Sequence, residues 1–161
     1  MMNDTSQCVF FYGGPLSQWY PSPFVLDGVP YTTAEQYMMA CKARVFGDQD
    51  TLHKILQTAN PREQKALGRQ VQGFDPEVWN RVARNLVIRG NVAKFGQSID
   101  LRLYLLNTGD KELVEASQTD CFWGIGLGLD SPLRYDRSAW RGTNWLGLAL
   151  MAARTVLRAE S

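Results

Sequence analysis

Two dipeptides set where helices begin in this chain. Asn60-Pro61 and Asp75-Pro76 each place a short side-chain acceptor directly before a proline. Proline is tolerated at the first helical position because that N–H has no partner in the helix, and Asn or Asp satisfies one of the next free amides. Glu63 then falls in the first turn of the first of these helices. After Asp75, the positions Val78, Val82, Leu86 and Val87 keep a helical period, so "DPEVWNRVARNLVIRGNVAKF" predicts one helix of about five turns.

The other elements arrange themselves around these. "CVFFY" predicts a buried strand closed by Gly13, Gly14 and Pro15, and the prolines of "SQWYPSPF" forbid helix, which leaves a loop. "FVLDGVPY" predicts a strand, an Asp-Gly turn and a return. Thr33 is expected to cap a helix running to Arg44, with Gln36 in capping-box spacing. Further helices are expected over 49–58, over "IDLRLYLLNTG" after Ser98 and closed by Gly109, and from Asn144 onward, with "ELVEAS" a short strand. Residues 118–143 form a Gly-rich, aromatic loop of 26 residues, a length that compact domains seldom carry without a functional reason. The expected fold is a single domain over 1–161, mainly α with a small β element.

Composition narrows the function classes. Hydrophobic residues make up 45% and charged residues 20%, a globular balance. With 17 basic and 16 acidic residues the net charge is +1, so no global field favours DNA or a membrane, and a polyanion has to be gripped locally. Cys8, Cys41 and Cys121 form no C-x-x-C pair, which argues against a disulfide framework and a zinc ribbon. His53 is the only histidine, so a His-based triad or a two-His metal site is not expected within one chain, and its setting in "TLHKIL" suits a helix surface. No metal and no cofactor are expected. The start "MMNDTSQ" has no signal-peptide pattern and no apolar run reaches membrane length, so a soluble, cytoplasmic protein without membrane partners is expected.

Three places offer chemistry. Glu35 and Lys42, seven residues apart in "YTTAEQYMMACKARVF", share a helical face at about 10.5 Å along the axis. The spacing admits two readings: charges at opposite ends of the helix dipole with solvated tips, or two groups bracketing something held between them. "TDCFWGIG" offers the Asp120 carboxylate, the Trp123 ring and close backbone approach at Gly124, against plain turn and core roles. Its glycines lack dinucleotide-binding spacing. In "WRGTNWLGLALM", Asn144 is expected to cap the last helix, whose N-terminus beside Arg141 is also a possible anion site, while Arg69 ends a helix in "LGRQ".

The blocks "LSQW", "TAEQYMMACKA", "KALGR", "WNRVARNLVIRGNVAKF", "TDCFWGIG" and "GTNWLGLALM" occur in the order of the NADAR family, the YbiA-like N-glycosidases, and the chain resembles that family over nearly its whole length. Gln18 stands where family members commonly carry Asn, so substrate contacts in this loop are expected to differ in detail. The resemblance implies a YbiA-like α+β single domain that cuts ribose from an amino group of a purine-like or pyrimidine base. Phosphoribosylamino-pyrimidines of riboflavin synthesis and ADP-ribosylated guanine, including guanine in DNA, are its substrate classes. It also implies Glu35, Lys42 and Asp120 as the catalytic set; Lys42 is expected as nucleophile, or as an electrostatic group in direct hydrolysis by two carboxylates, with Glu35 or Asp120 as the acid. Tyr12, Trp19 and Trp123 are then expected to stack on the base. Ser17, Gln18, Arg69, Gly124 and Asn144 would complete the substrate-binding set. A non-catalytic ADP-ribose or nucleotide sensor, and a helical interaction module, are the competing classes.

Overall fold

The computed structural model describes residues 4–161; the first three residues of the polar lead lie outside the described residues. In chain order the elements are β1 (Cys8–Phe11), β2 (Phe24–Leu26), β3 (Val29–Tyr31), α1 (Ala34–Val45), α2 (Gln49–Leu56), α3 (Pro61–Gly68), α4 (Pro76–Gly96), α5 (Ile99–Leu106), β4 (Glu112–Glu115) and α6 (Trp145–Ala159). The protein is therefore mainly α with a small β element, as the patterning predicts. Both Pro-led helices start where expected: Asn60 Oδ1 accepts from the Arg62 N–H and Asp75 Oδ1 from the Glu77 N–H. The helix after Asp75 spans 21 residues and packs lengthwise against α6, while α1 packs against α2, α3 and α4.

The β element consists of two separate pairs. β2 and β3 form the expected hairpin, with Asp27 and Gly28 both at positive φ in its turn. β1 pairs in parallel with β4, and Phe11 lies opposite Glu115 at the C-terminal end of both strands. β1 was expected to be buried throughout, but only Phe11 is; Val9 packs half-buried on the main core, and Cys8 and Phe10 half-buried on a second cluster around Val114, because β1 is an edge strand of a two-stranded sheet. The 26-residue loop is also less irregular than its composition suggests, with two short 3-10 turns at Pro132–Tyr135 and Arg137–Ala139.

The start of α1 is fixed by a buried amide network. Thr33 Oγ1 accepts from the Gln36 N–H at 3.0 Å, as the capping box predicts. The reciprocal bond is displaced by one residue, since Gln36 Oε1 accepts from the Thr32 N–H, while its Nε2 donates to the carbonyls of Ile55 and Thr58. Gln64 of α3, fully buried, accepts from Thr33 Oγ1 and donates to the Thr58 carbonyl. This shared set of bonds locks α1, α2 and α3 together around the N-terminal turn that carries Glu35.

Asn144 departs from expectation. It precedes α6 with φ 53°, and its side chain makes no capping bond. The first amides of α6 are satisfied by the backbone instead: the N–H groups of Trp145 and Leu146 donate to the carbonyls of Phe122 and Trp123. The possible anion site at this helix end is thereby consumed. Asn144 Oδ1 accepts from the Glu115 N–H at 3.0 Å and its Nδ2 donates to the Leu113 carbonyl at 2.9 Å, so the side chain stitches β4 to the start of α6. Replacing Asn144 with Ala leaves two buried backbone groups unpaired and puts at positive φ a residue that tolerates it less well than Asn. The expected loss is about 3 kcal/mol or more. Asn144→Gly removes the same bonds but tolerates the backbone and should lose roughly 1 kcal/mol less. Urea unfolding of the two variants measures the difference.

Candidate active site

A cavity of about 870 Å³ lies where α1, the loop after β1, α3 and the Asp120 loop meet. Glu35, Met38, Met39 and Lys42 line it from α1, with Lys65 and Arg69 from α3 and its end. Tyr12, Ser17, Gln18 and Trp19 line it from the loop after β1, and Asp120, Cys121, Phe122 and Trp123 from the loop after β4. Phe74 and Trp79 complete the aromatic wall. The structure thus brings together most of the residues singled out in the sequence. Asn144 and Gly124 are the exceptions, for neither lines the cavity. Asn144 is committed to β4, and Gly124 is packed so that an added β-carbon would stand 3.0 Å from the carbonyl oxygens of Asp120 and Glu115. Arg141 is exposed and lies outside the lining.

The shared face of Glu35 and Lys42 faces the cavity, so the Glu35 tip is not solvated on the outer surface. Glu35 is only 6% exposed. Burial pushes its carboxyl from the ordinary 4.5 up to about 7, helped by the Asp120 charge and opposed by Lys65, Lys42 and a hydrogen-bonding contribution from the Trp19 side chain. Lys42 is lowered from its ordinary value, first by burial and then by the Arg69 charge, against the pull of Glu35. Its Nζ sits 4.4 Å from the centre of the Phe74 ring, a cation–π approach that fixes where the amine lies. The acid and the amine are therefore each shifted toward their neutral forms.

Asp120 is held differently. Its Oδ1 accepts from the N–H groups of Phe122 and Trp123 at 2.9 and 2.8 Å, and its own N–H donates to Ser117 Oγ at 3.2 Å. The short side chain ties off the turn that presents Trp123. That indole has both roles weighed for it: it packs edge-on against Phe122 and Trp145 at the margin of the core, and it lines the cavity. Tyr12 is 64% exposed and stands at the rim, where it also borders a smaller cavity of about 340 Å³ near Leu129. Trp19 lies at the rim as well, with Lys65 Nζ 5.9 Å from its ring centre.

The sequence reading missed four residues. Glu115, at the end of β4, lines the cavity and is raised to about 7 by burial and by the charges of Asp120 and Glu35. Its place in "ELVEAS" signals only a strand. Lys65 adds a cation from α3. Asn91 and Lys94 of α4 lie outside the cavity and hold its wall from behind: Asn91 Nδ2 donates to Gln18 Oε1, and Lys94 Nζ donates to the Ser17 carbonyl at 2.8 Å. Lys94 is 1% exposed, and burial lowers it to about 7. Among the described residues, no three acidic, histidine or cysteine side chains are grouped so as to hold a metal ion. His53 lies exposed on α2, far from any such role.

Fold and cavity together define a small, mainly α protein built around an acid–amine pocket. The NADAR domain model matches residues 10–158, and the chain belongs to the NADAR family. An N-glycosidase of Acanthamoeba polyphaga mimivirus is 40% identical over 94% of this chain and 96% of its own length. N-glycosidase YbiA of Escherichia coli is 29% identical over 91% of this chain and 83% of its own. The NMR structure of the E. coli protein YbiA superimposes with a TM-score of 0.78 at 28% identity, covering 95% of this chain and 86% of that one.

Burial of Glu35 has a measurable consequence for stability. Between pH 4.5 and about 7 the folded chain binds a proton that the unfolded chain has released. Stability therefore falls as pH rises through that window. Glu35→Gln removes the titration. The variant should gain on the order of 2 kcal/mol over the native chain between pH 4.5 and 7.5. Denaturant unfolding at the two pH values is the measurement, and a constant difference between the chains would show that Glu35 titrates as an ordinary carboxyl.

Proposed function

We propose that this protein is an N-glycosidase that hydrolyses the bond between C1′ of a ribose and an amino nitrogen of a nucleobase. The observation that carries the reading is the opposed pair in the cavity: a carboxyl raised to about 7, Glu35, on one helix face with an amine lowered from its usual value, Lys42. An amino nitrogen leaves C1′ readily only when it is protonated as it goes, which requires an acid that still holds its proton near pH 7. An amine attacks carbon only when neutral, which burial of Lys42 favours. The relatives named above are N-glycosidases by name.

In the proposed reaction the Lys42 nitrogen bonds to C1′ while the bond from C1′ to the base nitrogen breaks. The electron pair stays on that nitrogen, which takes the proton of Glu35. Ring opening moves one proton from the lysine nitrogen to the ribose ring oxygen and leaves an imine. Water then adds to C1′ and releases Lys42 and the free sugar. Tyr12, Trp19 and Trp123 offer faces for a base, and the exposed Arg69 with the half-buried Lys65 suits phosphate oxygens at the rim. The cavity volume of about 870 Å³ is in the range of small-molecule sites and suits a nucleotide-sized ligand. Phosphoribosylamino-pyrimidines and ADP-ribosylated guanine share this chemistry.

Incubation with a ribosylamino-pyrimidine phosphate, and in parallel with an ADP-ribosylated guanine oligonucleotide, tests the reading through release of the free base and a reducing sugar. The native chain should cleave at least one of them, and borohydride added during turnover should leave the sugar's mass on Lys42. Lys42→Ala should fold normally, give no adduct and lose turnover. Binding of both compounds without cleavage by the native chain would replace the glycosidase reading with a sensor. Cleavage without any trapped adduct would leave Lys42 an electrostatic role in direct hydrolysis.

A further inference from the structure

Glu115 takes no part in the reaction as written, yet it occupies the same cavity. It closes the C-terminal end of β4, and its backbone has no freedom to withdraw the side chain. Its N–H is held by Asn144 Oδ1, its carbonyl accepts from the Ile125 N–H at 3.0 Å, and Phe11 of β1 lies opposite it in register. Its Oε2 is buried without a hydrogen-bond partner among the described residues. A buried acceptor left unpaired costs roughly 1–3 kcal/mol, and more if it is ionised. A rigid strand end thus holds a carboxyl in a site that does not satisfy it.

The groups facing this carboxyl come from three elements: Glu35 of α1, Lys65 of α3, and Asp120 of the loop that follows β4. Two are acidic and one basic, and burial outweighs all of them. The Glu35 charge raises the affinity of Glu115 for protons, and a repulsion between two charges acts on both partners. Two carboxyls coupled in this way lose their protons in two steps that belong to the pair, and between those steps the pair holds one proton. Glu35 is the more deeply buried of the two and keeps it, while Glu115 is half-buried. Asp120 is less suited to share that proton, because its Oδ1 already accepts from two amides.

We propose that Glu115 is a further catalytic residue, the carboxylate that takes a proton from the attacking water after Glu35 has given its own to the departing nitrogen. The proposal rests on the glycosidase reading above. Hydrolysis of a glycosidic bond needs an acid on the leaving group and a base on the water, and a pair sharing one proton supplies both at once. As the bond from C1′ to nitrogen breaks, the nitrogen keeps the electron pair and gains the Glu35 proton. The oxygen of water bonds to C1′, in the imine route while that carbon is still joined to Lys42, and its proton passes to Glu115. Transfer of that proton to Glu35 restores the starting state. One water is consumed, and one base amine and one free sugar are released.

Glu115→Gln tests this in two ways. Without substrate, carboxyl titration of glutamate-labelled protein by NMR should show the Glu35 midpoint falling in the variant, because a neighbouring negative charge has gone. An unmoved midpoint would overturn the pairing. With either ribosylated substrate, the variant should lose roughly 10²- to 10⁴-fold in kcat with KM little changed. Cleavage by the native chain together with undiminished kcat in Glu115→Gln would overturn the role of Glu115 and leave the glycosidase reading standing. Absence of cleavage by the native chain would overturn both. Should Glu115→Gln fail to fold, Glu115→Asp keeps a carboxyl but draws it back by one methylene. It should remain folded with a partial loss of kcat, and full activity in that variant would again overturn the proposal.

Discussion

Asn144 is the residue on which the geometry of the cavity depends. Its left-handed backbone lets α6 begin immediately after the long loop has folded back, and its side chain bonds both backbone groups that β4 offers there. The N–H of Asn144 in turn donates to the Gly124 carbonyl, and the amides of Trp145 and Leu146 take the next carbonyls toward Phe122. Residues 121–125 are thereby held against the helix start as if they were one more strand. Packing at this junction leaves no room for side chains: a β-carbon on Gly147 would stand 2.0 Å from the Leu113 carbonyl oxygen, and one on Gly142 would stand 2.2 Å from that of Gly124. Glu115 and the Asp120 turn project into the cavity from this clamped edge, so their positions follow from backbone bonding more than from their own contacts.

The charge balance of the site follows from what faces it. Three carboxyls and three cations line one cavity in a chain whose net charge is +1. Full ionisation of every acid is opposed by burial, which raises the proton affinity of both Glu35 and Glu115. The cations are graded in depth: Lys42 is half-buried over Phe74, whereas Arg69 is exposed at the end of α3. Groups shifted toward their neutral forms thus sit deep in the cavity, and an exposed guanidinium sits at the rim. Such a site lowers stability relative to an apolar core of the same size, a familiar cost of reactive pockets.

Much of the helical frame was legible in the sequence because its signals are local. Asn60-Pro61, Asp75-Pro76, Thr33 and Ser98 announce helix starts through bonds reaching only two or three residues. Glu35 and Lys42 were likewise placed on one face by helical period alone. What the sequence did not reveal depends on partners distant along the chain. The parallel pairing of β1 with β4 joins residues about a hundred positions apart, and no pattern in "CVFFY" or "ELVEAS" specifies it. Glu115 became a site residue only through that pairing. Asn144 misled because Asn before a helix usually caps it, while here the carbonyls of Phe122 and Trp123 had already taken that role and freed the side chain for β4.

The third wall of the cavity, the loop over Ser17–Trp19, shows how the long helix serves the site beyond the Trp79 ring that it contributes. Asn91 and Lys94 lie three residues apart on one face of α4, so their tips emerge side by side toward the loop. Asn91 takes the Gln18 side chain, and Lys94 reaches the Ser17 carbonyl through a fully buried amine with burial the only cause of its shift. The Gln18 carbonyl, in turn, accepts from the Glu35 N–H at 3.0 Å. A chain of bonds therefore runs from the middle of α4 through the loop to the backbone of the buried acid. The amide of Gln18 has the reach to meet Asn91 and to lie 4.0 Å from Met38 Sδ. Its side chain is thereby engaged with the protein. The rings of Tyr12 and Trp19, by contrast, remain exposed at the rim of the cavity.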